Sequence, residues 1–236
     1  ITVTCGVTEG IVVALQAGAN PGDEVLVLEP AHENFRPAAI MAGAKAVPVP
    51  LTAPEYRLDR DMLASRITPR TKALLINTPH NPTGRVLDEA EMAAIIDVVT
   101  SHDLVLITDE IYEHILYDGR VHVSPGRHPA LKDRTIVVGG MSKTFAITGW
   151  RLGFVFAPDA LALAVRKAHD HITICAPTPL QAAAVTAMEL PESYYTELTE
   201  SYRQRRDTLM EYLAEAGFDA LMPQGAYYTI ANYRSL

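Results

Sequence analysis

Four stretches of this sequence place side chains able to do chemistry just after a short run of apolar residues. Gly6-Val7-Thr8 follows Ile1–Cys5 and opens a helical pattern. A glycine turn at a helix N-terminus presents free backbone N–H groups and the positive end of the helix dipole, which suits a phosphate. Thr8 adds a hydroxyl, although an ordinary strand-to-helix turn would read the same way. Pro79-His80-Asn81-Pro82-Thr83-Gly84 follows Ala73–Ile76 and makes a rigid turn, in which Asn81 either offers an amide to a ligand or caps its own loop. Asp109 follows Leu104–Thr108, where a buried carboxylate is costly unless a cation or donors meet it. Tyr112, three residues on, places a phenol close by, and a structural salt bridge is the plainer reading. Lys143 follows Thr135–Val138 through Gly139-Gly140-Met141-Ser142. Desolvation there would lower its amine pKa as carbonyl chemistry requires, whereas a solvated surface lysine would do nothing. Arg151, in Gly149-Trp150-Arg151-Leu152-Gly153, offers a planar fork for phosphate or pairs with a carboxylate.

The elements that must position these residues are four-residue apolar runs alternating with helices. Val25–Leu28, Ala73–Ile76, Leu104–Ile107 and Thr135–Val138 are apolar on both faces, as strands of a parallel sheet covered on each side must be. Ile1, Val3 and Cys5 share one face of an alternating strand. Thr8–Ala17, Asn34–Ala42, Asp159–His171, Thr178–Glu189 and Glu192–Ala216 carry helical patterns. Asp88 and Glu91 form a capping box before Met92, Ile95, Ile96 and Val99. The fold class expected is α/β, a three-layer, mostly parallel sheet with helices on both faces. Such sheets bind ligands at the carboxyl ends of their strands, where the four stretches lie. Domains are expected at 1–191 and 192–236, the second being a connecting helix with a Leu198–Tyr202–Leu209–Leu213 core stripe and the start of a small α+β domain. Ala226–Ala231 reads as its strand, and Gly217 as the helix C-cap.

Taken in this order and at these separations, Pro79–Gly84, Asp109–Tyr112, Ser142-Lys143-Thr144-Phe145 and Gly149–Gly153 resemble the class I and II aminotransferases. These are fold-type I enzymes that use pyridoxal 5'-phosphate. The similarity runs from Ile1 to about Gly217. It implies that Lys143 forms the Schiff base with the cofactor and then moves protons, and that Asp109 pairs with the pyridinium nitrogen. It implies that Tyr112 and Asn81 donate to the ring hydroxylate, that Gly6, Val7 and Thr8 form the phosphate cup, and that Arg151 clamps it. The ring-stacking position, usually aromatic, is His32, smaller and able to be protonated. Gly140 stands where the family often has a phosphate-binding Ser, with Ser142 a substitute. The activity implied is transfer of an α-amino group between an amino acid and a 2-oxo acid by a ping-pong mechanism, in a homodimer. A β- or γ-eliminating or cyclising relative is one alternative and a non-catalytic module of the same fold is another. The family's carboxylate-binding Arg, its N-terminal closing segment and the partner's Tyr fall outside these residues.

Composition closes other classes. Lys plus Arg total 20 against 28 Asp plus Glu among 236 residues, which leaves no electrostatic footprint for nucleic acid or an anionic membrane. Apolar runs are too short to span a bilayer. The two cysteines, Cys5 and Cys175, offer no disulfide framework and fit a reducing cytoplasm as small buried residues. His114, His122, His128, His169 and His171 lack metal-site spacing and read as surface residues, so no metal is expected. Neither end carries an initiator Met, a signal peptide or a charged tail, as expected of an internal piece of a longer protein.

Overall fold

A computed structural model describes residues 1–233. Its centre is a seven-stranded sheet made of β1 (Thr2–Thr4), β2 (Glu24–Glu29), β3 (Lys45–Pro50), β4 (Thr71–Asn77), β5 (Val105–Asp109), β6 (Thr135–Gly140) and β7 (Gly153–Phe156). The spatial order is β1-β7-β6-β5-β4-β2-β3. Strands β2 to β6 run parallel, while β7 lies antiparallel to both β6 and β1. Five helices cover the two faces: α1 (Val7–Gly18), α2 (Phe35–Met41), α3 (Arg60–Ser65), α4 (Glu89–Ser101) and α5 (Asp159–Ile172).

The doubly apolar strands explain the three layers. Val25, Val27, Ala73, Leu75 and Ile107 turn toward α1, α2 and α5, while Leu26, Leu28, Leu74, Ile76 and Leu106 turn toward α3 and α4. Each such side chain, removed from water, contributes about 1.5–3 kcal/mol of transfer free energy. The capping box of α4 is formed in full: Asp88 accepts from the Glu91 N–H and Glu91 from the Asp88 N–H.

Some local features go unmarked in the sequence and others depart from expectation, for identifiable reasons. β3 was not legible as a strand because Pro48 and Pro50 interrupt it; prolines are tolerated there because β3 is an edge strand paired only with β2. The short α3 starts on an Asp59 cap, whose carboxylate accepts from the Met62 N–H at 2.7 Å. In β1 the polar members, Thr2 and Thr4, are the buried ones, and Val3 faces outward. The strand expected over 226–231 shrinks to β9 (Ala231–Asn232), paired with β8 (Asp219–Ala220). Ala226 takes φ 55°, a left-handed conformation that an extended strand does not contain. Before this hairpin come α6 (Thr178–Met188) and α7 (Glu192–Glu215). α7 ends at Gly217 (φ 82°) and has no fully buried residue. Of its expected core stripe, Leu198 and Tyr202 pack against the Ile111–Tyr117 cluster, whereas Leu209 is exposed.

Candidate active site

The carboxyl ends of β5 and β6, the start of α1 and the turn before β7 converge on one cavity of about 130 Å³. Sequence-expected residues Val7, Thr8, His32, Asp109, Tyr112, Ser142, Lys143 and Arg151 all line it.

One end of the cavity is built from backbone. Gly6 has φ 84°, and a Cβ placed on it would lie 2.4 Å from Arg151 Nη2. A Cβ on Gly153 would lie 2.6 Å from the Gly6 carbonyl carbon. These two glycines therefore let the guanidinium settle against the start of α1, whose N-terminus has no side-chain cap. Arg151 is itself left-handed, φ 54°, and its Nη1 donates to the Thr148 carbonyl at 3.0 Å. That backbone costs a non-glycine residue roughly 1–2 kcal/mol, so the surrounding turn must impose it. Gly140 is also explained: a Cβ there would lie 3.0 Å from both the Leu152 carbonyl and Val7 Cγ2. A serine at that position would crowd the floor of the cup.

The other end carries the titratable groups. Asp109 is buried at the last position of β5, and one carboxylate oxygen accepts from the Ile111 N–H at 3.0 Å. Among the described residues no cation pairs with it, and burial pushes its pKa up to about 7. Tyr112 is buried and donates to the Tyr228 hydroxyl at 3.2 Å; desolvation raises its pKa far above the usual phenol range, so it stays protonated. Lys143 Nζ lies 5.7 Å from the Tyr227 ring centroid and has no ion pair among the described residues. His32 packs at a tilt on Phe35, 5.6 Å between centroids, and its Nδ1 accepts from the Asn34 N–H at 3.2 Å. Burial lowers its pKa, opposed in part by the Glu33 charge and aided by the weaker effect of Lys143, which disfavours the charged imidazolium.

Asn81 stands apart. It is buried, its backbone N–H donating to Asn77 Oδ1 at 2.6 Å, and it is not among the residues that line the cavity. Sequence reasoning missed Tyr228, Asn34, Phe35 and Thr148, all of which do. The adjacent tyrosines Tyr227 and Tyr228 were visible, but reading them as strand residues hid their common direction.

Two histidines read as surface residues are enclosed instead. His169, 7% exposed at the side chain, meets Glu9 at 2.5 Å, and Glu9 also accepts from the Cys5 N–H beside the cup. His122 binds Glu110 Oε2 at 2.6 Å, and ligand-type atoms of Glu110, Glu113 and His122 lie within 4.8 Å of one another despite their unpromising spacing. Cys175, expected to be buried, is exposed.

A mostly parallel sheet with an uncapped helix N-terminus, a guanidinium, a buried unpaired carboxylate and a free lysine at its carboxyl edge defines a cofactor-holding α/β domain. The chain belongs to the aminotransferase class I and II family, whose model matches residues 1–236, well past the Gly217 limit of the motif resemblance. Its members depend on pyridoxal phosphate. The chain is 34% identical over 236 residues to the methionine aminotransferase of Escherichia coli (strain K12), covering 100% of this chain and 61% of that protein. It is 40% identical over 231 residues to an aspartate aminotransferase of Pyrococcus abyssi, covering 97% and 59%. The solved N-succinyldiaminopimelate aminotransferase of Mycobacterium tuberculosis superposes with a TM-score of 0.95 at 39% identity, over 99% of this chain and 61% of that one. The chain thus spans about 60% of the length of the relatives it matches.

The residues present fit the family cofactor. The glycine cradle that no Cβ could share admits a phosphate, and the buried Asp109 carboxylate lacks the cationic partner that a pyridinium N–H supplies.

Proposed function

We propose that this chain is the cofactor-holding part of a pyridoxal-phosphate-dependent aminotransferase that moves an α-amino group between an amino acid and a 2-oxo acid. The observation that carries the reading is that a buried Asp109 carboxylate and the Lys143 amine, with no ion pair between them, line one cavity beyond the ends of neighbouring strands, beside the Gly6–Arg151 cup. The cofactor supplies an aldehyde that condenses with amines and a ring that accepts the electron pair left at the substrate Cα. The N–H groups opening α1, the Thr8 hydroxyl and the Arg151 fork hold its phosphate, with Ser142 close by. Asp109 holds the ring nitrogen protonated. Neutral His32 covers one ring face. Tyr112 donates to the ring hydroxyl oxygen, joined there by the Asn81 amide. Lys143 would anchor the aldehyde and, once released as a free amine, would take the proton from Cα and return it to the cofactor's aldehyde carbon, two bonds away.

The domain division at Pro191 belongs to the same reading, supported by the absence of fully buried residues in α7. So does a homodimer, supported by the exposed apolar side chains of Ile1, Val3 and Phe156 on the β1–β7 edge. A cytoplasmic setting fits the two free cysteines. Incubation with pyridoxal phosphate, borohydride reduction and peptide mass spectrometry tests the reading. An adduct confined to Lys143 is expected; none, or labelling spread evenly over the other lysines, would refute it.

A further inference from the structure

Tyr227 and Tyr228 are consecutive, yet both rings stand edge-on to Tyr112, with centroids at 5.3 and 5.8 Å. Neighbours in a strand point to opposite faces, so this convergence requires the left-handed turn at Ala226. The turn is fixed from both sides. The N–H groups of Gln224 and Gly225 donate to the Gly84 carbonyl at 2.7 and 2.9 Å, and Ala226 N–H donates to the Ile115 carbonyl at 2.9 Å. Gly84 permits this approach, since a Cβ on it would lie 2.5 Å from the Tyr228 carbonyl oxygen. The two tyrosines then take different work. Tyr227 stacks on Tyr202, 5.4 Å between centroids, and shows its face to Lys143. Tyr228 reaches the cavity and meets Tyr112 hydroxyl to hydroxyl.

We propose that Tyr228 is a positioning residue of the cofactor site: its phenol fixes Tyr112 and donates a hydrogen bond to it, strengthening Tyr112 as a donor to the hydroxyl oxygen of the bound ring. This rests on the cofactor reading above. In the structure the Tyr112 hydroxyl donates its hydrogen bond to the Tyr228 hydroxyl. Both hydroxyls rotate without moving a heavy atom, so a ring oxygen in front of Tyr112 draws its proton forward, and Tyr228 then donates behind it. Hydrogen bonds in such a chain polarise one another. The charged and titratable groups facing this pair are Asp109 and Tyr227 toward Tyr112, and Tyr227 and Lys143 toward Tyr228. The Tyr227 hydroxyl is a hydrogen-bonding neighbour of both, so the tyrosines form a three-membered cluster in which Tyr112 meets Tyr228 directly.

The test is a spectroscopic pH titration of the cofactor-loaded chain, reading the visible band of the Lys143 linkage. A donor to the ring oxygen stabilises the deprotonated form of that linkage, so weakening the donor raises the midpoint. Tyr228→Phe should move it upward by about half to one unit, the worth of one modest hydrogen bond. In a Tyr112→Phe background the same substitution should move it by less than a fifth of a unit, because Tyr228 acts through Tyr112. A band in both proteins with an unchanged or lower midpoint in Tyr228→Phe overturns the inference and leaves the cofactor reading standing. So does an equal shift in the Tyr112→Phe background. A wild-type chain that forms no band overturns the cofactor reading and this inference with it. Far-UV circular dichroism of Tyr228→Phe should match wild type, since only one oxygen is removed.

Discussion

Replacing Asp109 by Asn converts the buried carboxylate into a neutral isostere that still accepts from the Ile111 N–H, and its effect on stability must depend on pH. Burial raises the Asp109 pKa from 3.8 to about 7 in the folded chain. A carboxyl with a raised folded-state pKa binds its proton more tightly folded than unfolded. Its presence therefore costs nothing below the unfolded value, costs progressively more as pH rises from about 4 to 7, and levels off above. At 1.36 kcal/mol per unit, the full gap corresponds to about 4 kcal/mol at pH 8 and about 2 kcal/mol at pH 5. Asp109→Asn should accordingly be more stable than wild type without cofactor, by a margin that roughly doubles between those pH values. Urea denaturation followed by circular dichroism at pH 5, 6.5 and 8 measures it. Pyridoxal phosphate should then reverse the order, because its ring nitrogen gives the carboxylate the partner it lacks while Asn gains little. A stability difference that stays flat with pH, or a variant stabilised by the cofactor as much as wild type, would refute the account of Asp109 as an ionisable group awaiting a cation.

Gly6→Ala should weaken pyridoxal phosphate binding at least tenfold by fluorescence titration, about 1.4 kcal/mol, because the new Cβ displaces the Arg151 guanidinium and φ 84° disfavours alanine. Arg85→Met should cost about 3–5 kcal/mol in urea denaturation, since it leaves Glu91 buried without the cation that now meets it twice, at 2.6 and 2.9 Å. Leu75→Ala, fully buried in the central β4, should cost about 2–5 kcal/mol by the same assay. The His32 imidazole should titrate below 6.5 when followed by NMR, as burial and Lys143 both disfavour its charge; a midpoint above 6.5 would contradict a neutral ring cover.

The central strands were readable because Val25–Leu28, Ala73–Ile76 and Leu104–Ile107 are buried on both faces, which leaves a continuous apolar run in the sequence. Their ends were readable for the same reason: Asp109 and Lys143 break such runs, and a polar residue there needs a cause. Tyr228 was not readable from local pattern. It reaches Tyr112 across 116 residues, through a left-handed alanine that no local rule assigns. β3 failed because edge position, which tolerates proline, is a property of the sheet and not of the strand. The shared face of Val3 was readable but not its exposure, because alternation tells which residues share a face without telling which face is covered, and in β1 the threonines are inside.

The pairing of β1 with β7 has a consequence for how the protein is made. Thr2 bonds across to Val155, so the strand that leads into Gly6 can find its partner only after about 150 further residues have been joined. At roughly 5–20 residues per second that is a wait of about 8–30 s, during which β2 to β6 can pair among themselves. The phosphate cup, split between Gly6 at one end of this span and Arg151 at the other, therefore cannot take shape until both ends have been made. A nascent chain that has not reached Gly153 has no place to seat a phosphate, and capture of the cofactor waits on the β1–β7 pairing that completes the sheet.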